Sequence, residues 1–133
     1  MKKTLILITL FFFGIISSQV ISSPPAGCKP VLDGKVVEDL TLEALTKWCE
    51  LTPLIVQCDD GKRYTLQTFQ VNFFTLKPLV NREFGVGEGG IPLKAREAVA
   101  KGMAGDALIL KEVKAADDKG NVISFPTMSF KLK

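Results

Sequence analysis

The sequence predicts a mainly β protein, a small antiparallel β-sandwich with helical connections. Three observations point there. Apolar residues alternate along 63–75, where Phe69, Val71 and Phe73 fall on one strand face. Two polar turns, Asp59-Asp60-Gly61-Lys62 and Asp117-Asp118-Lys119-Gly120-Asn121, each separate two strand-like runs. Those runs come as antiparallel pairs and not as βαβ units.

Taken in order, the chain opens on an address. Lys2 and Lys3 precede an apolar run over 5–16, about 12 residues long, which suits a signal-peptide hydrophobic region and falls short of the roughly 20 that span a bilayer. Ser17 and Ser18 supply small residues for cleavage, so 1–18 is read as a signal peptide cut before Gln19. About 115 residues follow, the size of one domain. Pro25-Ala26-Gly27-Cys28 offers a second reading, a lipoprotein box with Cys28 as the lipidated residue and an outer-membrane anchor. Residues 19–37 are rich in Ser, Pro and Gly and read as a linker or disordered arm, which leaves 38–133 as the domain.

Within the domain, Thr41 is a candidate N-cap for a short helix over 42–48, with Glu43 in its first turn and Lys47 near its end. Leu54 to Cys58 is β-branched and apolar, a strand that a turn joins to the long strand 63–75. Residues 79–90 read as a long connection ending in four glycines. Pro92 opens a helix that runs to about Lys101. Residues 107–114 form a strand, and 122–132 close the chain as another whose apolar phase changes at Pro126, the mark of an edge position or a bulge. Phe69, Val71, Phe73, Ile109, Phe125 and Phe130 are the expected core, and Trp48 reads as a core anchor.

Composition narrows the function classes. Two of the 17 basic residues belong to the leading segment, and 14 acidic residues balance the rest. No nucleic-acid footprint is therefore expected. The chain has no histidine, which removes Ser-His-Asp and Cys-His catalysis and His-containing metal sites. Gly85-Val86-Gly87-Glu88-Gly89-Gly90 fits a dinucleotide-binding spacing, but the preceding segment holds Pro78, Asn81, Arg82 and Glu83 and makes a poor buried parallel strand. A flexible loop is the plainer reading. The acidic pairs lack the alternating spacing of a calcium loop. No catalytic residue, metal or cofactor is expected.

An exported chain with three cysteines should pair two of them. Cys49 and Cys58, close in sequence around Pro53, are the expected disulfide. Long loops often carry function, and Arg82, Glu83 and Phe84 in the 78–90 segment are the expected partner-binding residues.

Five segments, in this order, resemble one known family. They are Leu40-Thr41-Leu42-Glu43-Ala44-Leu45; Tyr64-Thr65-Leu66-Gln67-Thr68-Phe69-Gln70-Val71; residues 91–101; Gly105-Asp106-Ala107-Leu108-Ile109-Leu110-Lys111-Glu112-Val113-Lys114; and Lys119-Gly120-Asn121 with Met128-Ser129-Phe130-Lys131-Leu132. Together they resemble the C-terminal domain family of the gliding-motility protein GldM of Bacteroidota. The resemblance implies an immunoglobulin-like β-sandwich in the periplasm or secreted, associated with gliding and type IX secretion and acting by contact with another cell-envelope protein. No transmembrane segment is expected in the mature chain. The expected function is a non-enzymatic binding or structural module; the alternative is a small secreted enzyme or inhibitor with its site in the 78–90 segment. Intact-mass analysis of the envelope protein should give a mass without residues 1–18. A mass that includes them refutes cleavage there, and an added diacylglycerol on Cys28 assigns the lipoprotein route.

Overall fold

The computed structural model describes residues 24–133. The expected signal peptide, its cleavage point and residues 19–23 of the arm lie outside the described residues. The elements are β1 (Lys29–Leu32), β2 (Lys35–Val36), α1 (Leu42–Cys49), β3 (Ile55–Gln57), β4 (Arg63–Leu76), β5 (Leu79–Glu88), α2 (Leu93–Ala100), β6 (Ala107–Ala116), β7 (Val122–Phe125) and β8 (Met128–Lys131).

All eight strands join one antiparallel hydrogen-bonded sheet. β4 is its spine. One side of β4 pairs with β6, and the other is shared end to end by β3 and β5. β6 in turn carries β7 and β8 on its far side. β1 extends the sheet beyond β3, and β2 beyond β1. The mainly β, antiparallel expectation holds. A separate second sheet is not formed: the single sheet curls, and both helices contribute to the core that it encloses, through Leu45, Trp48 and Cys49 of α1 and Ala95 and Val99 of α2.

Local chemistry explains α1. The Thr41 side chain accepts the Ala44 N–H at 3.2 Å, as an N-cap should. Glu43 and Lys47 form an exposed i,i+4 pair of 3.1 Å, a minor contribution. Trp48 is fully buried, donates its indole N–H to the Ile55 carbonyl at 3.1 Å and packs on Phe130 with ring centroids 5.2 Å apart. A buried indole needs such a partner for its polar edge.

The pairing of β4 with β6 contains two bulges that cancel. Leu66 faces Ala115 and Thr68 faces Lys114, so Gln67 is an extra residue on β4. Gln70 then faces Lys111, so Glu112 and Val113 stand opposite Phe69 alone. Glu112 accordingly takes a left-handed φ of 49°. Each strand changes phase once. β4 buries Tyr64 and Leu66, then Phe69, Val71 and Phe73; β6 buries Leu108 and Leu110, then Val113 and Ala115. Five of the six expected core residues are buried. Ile109 is the exception: it pairs with Asn72 and Ser129 on the opposite face, and Leu108 and Leu110 take the inner positions.

Three further expectations need correction. Residues 29–36, read as part of a linker, form the β1–β2 hairpin around Asp33 and Gly34, both at positive φ (52° and 78°), the geometry that a two-residue hairpin turn requires. The final strand is broken at Pro126 and Thr127 into β7 and β8, which pair with successive parts of β6. The disulfide joins Cys28 to Cys58, not Cys49 to Cys58. Cys49 lies on the buried side of α1 beside Leu45 and Trp48. Asp59, next to Cys58, donates its N–H to the Ala26 carbonyl at 2.9 Å and so lays the arm alongside. Gly27 permits this approach. Its φ is 64°, and a Cβ there would collide with the Asp59 carboxylate. A sulfur held in a disulfide cannot also carry a diacylglyceryl thioether, so the bridge and lipidation are alternative fates of Cys28.

Burial pushes the Cys49 thiol up to about 12, with smaller opposing effects from the Arg96 guanidinium and the Glu50 carboxylate. Thiol reagents should therefore find no reactive group in the folded, oxidised protein and one after unfolding. Non-reducing peptide mapping should yield the Cys28–Cys58 cross-link; a Cys49–Cys58 cross-link would refute the pairing.

Tyr64 packs edge-on against Phe125 at 5.0 Å and donates its hydroxyl to the Asp60 carboxylate at 2.6 Å. That hydrogen bond, aided by desolvation and by the negative charge of Asp60, pushes the phenol up to about 12. The same bond, with the Lys62 N–H, lowers Asp60. The signs differ. The tyrosine contribution to stability is complete below the unfolded value of about 10 and disappears as pH rises to about 12. The aspartate contribution is present above an unfolded value of about 4 and fades as pH falls below it. Tyr64 is the only tyrosine, so ultraviolet titration of the phenolate reads it directly. The midpoint should lie near 12 and should move toward about 10 in Asp60→Ala.

Candidate functional site: the free edge of the sheet

The segment expected to be a long connection is β5, an edge strand of 10 residues. Its composition is that of an edge. Charged residues and glycines suit a strand with one side in water, where a strand buried on both faces would be apolar. Lys77 and Pro78 make the turn from β4. β5 pairs with β4 and with no other strand among the described residues. By strand geometry, half of its backbone N–H and C=O groups point away from β4.

The glycines are structural. Gly87 pairs with Phe69, and the Phe69 ring occupies the space that a Cβ on Gly87 would need. Phe69 is thereby buried beneath the edge. Gly85 to Glu88 are strand, and the next helix starts at Leu93, with Pro92 at the N-cap position and no side-chain cap. The run is thus the end of an antiparallel hairpin and not the turn of a βαβ unit.

The three expected partner-binding residues do not share a face. Arg82 lies with its guanidinium carbon 5.0 Å from the centroid of Phe84, a cation–π contact. Phe84 is half-buried against the core and so supports Arg82 instead of projecting from the surface. Glu83 pairs with Asn72 on the opposite face, where a shallow cleft is lined by Gln70, Asn72, Glu83 and Gly85. Asn72 is buried and donates to the Asn81 side chain at 3.1 Å.

Two hollows flank the strand. Toward α2 lies a cleft of about 240 Å³ lined by Arg82, Lys94, Glu97, Ala98 and Lys101. On the other face, a depression of about 520 Å³ lies over the cancelling bulges, lined by Thr68, Gln70, Val86, Glu112, Lys114 and Ser124 among others. Sequence reasoning missed both. The first is built from residues on two elements, and the second depends on the bulges.

The hairpin tip adds an apolar corner. Leu76, Leu79 and Met103 are 46%, 71% and 57% exposed. Asp106 fixes this corner: its buried carboxylate accepts from the Leu76 N–H at 3.1 Å and the Met103 N–H at 2.8 Å. The turn carboxylates are similarly occupied. Asp117 accepts from the Lys119 and Asn121 N–H groups, and Asp60 from the Lys62 N–H and the Tyr64 hydroxyl. No helix among the described residues is long and apolar enough to cross a membrane.

No protein-family model matches the chain, and no curated protein is similar to it.

Asp106→Ala removes the acceptor of two backbone donors at once. It should cost about 3 kcal/mol, given about 1.5–3 for each hydrogen bond to a charged group and partial rescue by water. Denaturant unfolding checks the magnitude. Amide exchange should accelerate first at Leu76 and Met103; uniform acceleration would show that Asp106 does not act locally.

Proposed function

We propose that the protein is an exported, non-enzymatic binding module of the cell envelope, working in the periplasm or as a secreted protein, and that β5 with its flanking hollows is its contact surface. The observation that carries this reading is the exposed edge of β5, long for a strand with only one partner. Sheet edges of this kind recognise extended segments through backbone hydrogen bonds, while flanking pockets select side chains. The Cys28–Cys58 disulfide is compatible with an oxidising compartment outside the cytoplasm. The one free cysteine is buried and its thiol is pushed up, which suits packing better than nucleophilic chemistry.

The resemblance to the GldM C-terminal domain family extends the proposal to gliding and type IX secretion. Its support is the succession of a short capped helix, a long strand, one further helix and a closing hairpin. The test is photo-crosslinking in envelope extracts, with the cross-linker placed at Val86, which is 58% exposed on the β5 edge. A discrete adduct with one envelope protein is expected. Absence of any adduct there, with a specific adduct from a probe at a distant site such as Val122, would move the contact surface away from β5.

A further inference from the structure

We infer that the occupant of β5 is an extended acidic segment of a partner protein, added as a strand, with alternate carboxylates lying over Arg82, Lys94 and Lys101. This rests on the binding-module reading and specifies its ligand. Three observations lead to it.

The first is length. β2 has 2 residues and β7 and β8 have 4 each, whereas β5 offers 10, interrupted by a single bulge at Phe84. An added strand gains one ladder of backbone hydrogen bonds, so β5 is where it gains most. The second is charge. The cleft on the α2 side of β5 holds Arg82, Lys94 and Lys101 against the single carboxylate of Glu97. The ion pairs among the described residues use other side chains: Lys29–Glu38, Lys47–Glu43 and Lys133–Asp39. The three cations therefore face solvent with their charge available. The third is the asymmetry of the two faces. Glu83 lies on the face opposite Arg82, and Glu88 pairs with Thr68 on that same opposite face. Side chains of an added strand alternate between faces. Those turned toward α2 meet cations and should be acidic; those turned away meet Glu83, Val86 and Glu88 and should be neutral. Backbone pairing would supply affinity, and the charges would set register and select the partner.

A second copy of this chain fits less well. Pairing edge to edge about a two-fold axis normal to the sheet sets one cationic flank beside the other.

The probe is a peptide as long as β5, alternating Glu and Thr and blocked at both ends. Controls replace Glu by Lys or N-methylate alternate amides. The acidic peptide should bind and protect alternate β5 amides from exchange, and added salt should weaken it. The double variant Lys94→Glu, Lys101→Glu should lose at least about tenfold in affinity with unchanged Trp48 emission. N-methylation should abolish binding. Equal binding by the Lys peptide, full binding by the N-methylated one, no binding at millimolar peptide, or protection away from β5 would each overturn the inference. So would concentration-dependent dimers joined through β5. The envelope cross-linking experiment separates the two levels. If the charge-reversed variant still gives the Val86 adduct, the acidic-strand inference fails and the binding-module reading stands. If the wild-type protein gives no adduct from any site, that reading itself fails.

Discussion

The fold depends on one requirement, that β4, 14 residues long, stay paired on both sides over most of its length while turning a single apolar face inward. A strand this long accumulates twist, and flat pairing over such a length is unusual. One extra residue on β4 at Gln67 and a compensating one on β6 at Glu112 meet the requirement. Bulges sharpen twist and bend a strand, which suits a sheet that curls. Because each strand gains one residue, the register regained beyond Gln70 matches that before Leu66, and both apolar faces remain inside. Glu112 and the neighbours of both bulges, Thr68 and Lys114 among them, also line the hollow on the outer face. Core geometry and surface relief thus have one origin.

Trp48 and Phe69 hold the curl from within. Trp48 reaches from α1 to the Ile55 carbonyl and to the Phe130 ring, so one side chain links a helix, the start of β3 and the last strand. Phe69 stands opposite the second bulge and under Gly87, where the missing side chain lets an exposed strand cover a phenyl ring. The chain end is fixed as well: the Lys133 N–H donates to the Leu40 carbonyl, and the Leu132 N–H to the Asp106 carbonyl.

How much of this was legible depended on whether the signal was local. The Thr41 cap, the hairpin at Asp59 to Lys62 and the turn at Asp117 to Asn121 follow from short-range chemistry and could be read directly. β5 could not, because an edge strand has the charge and glycine content of a loop; only the alternation of Arg82 and Phe84 and the Lys77-Pro78 turn hinted at it. Asp33-Gly34 was a readable hairpin signal submerged in a Pro- and Ser-rich stretch. The inward phase of β6 was illegible near Ile109, since strict alternation has no means of counting a bulge. The cysteine pairing was beyond sequence altogether: spacing favoured Cys49 with Cys58, but the helix turns Cys49 into the core and the arm brings Cys28 alongside β3. For the site, the three residues singled out do lie on the candidate strand, yet Lys94 and Lys101 of the cationic cleft belong to a helix and its C-cap, whose approach to β5 only the fold reveals.

The Cys28–Cys58 bridge also sets how the domain would carry tension. A pull between the chain preceding Cys28 and any point beyond Cys58 passes through the sulfur–sulfur link and bypasses residues 29–57. β1, β2, α1 and β3 lie within that bypassed stretch, so Trp48 and the helix that presents it bear no direct load. Force enters the sheet where β3 meets the β3–β4 turn, beside the spine. In an oxidising compartment the first elements of the chain are thus mechanically out of line, and reduction would put them in series with the rest.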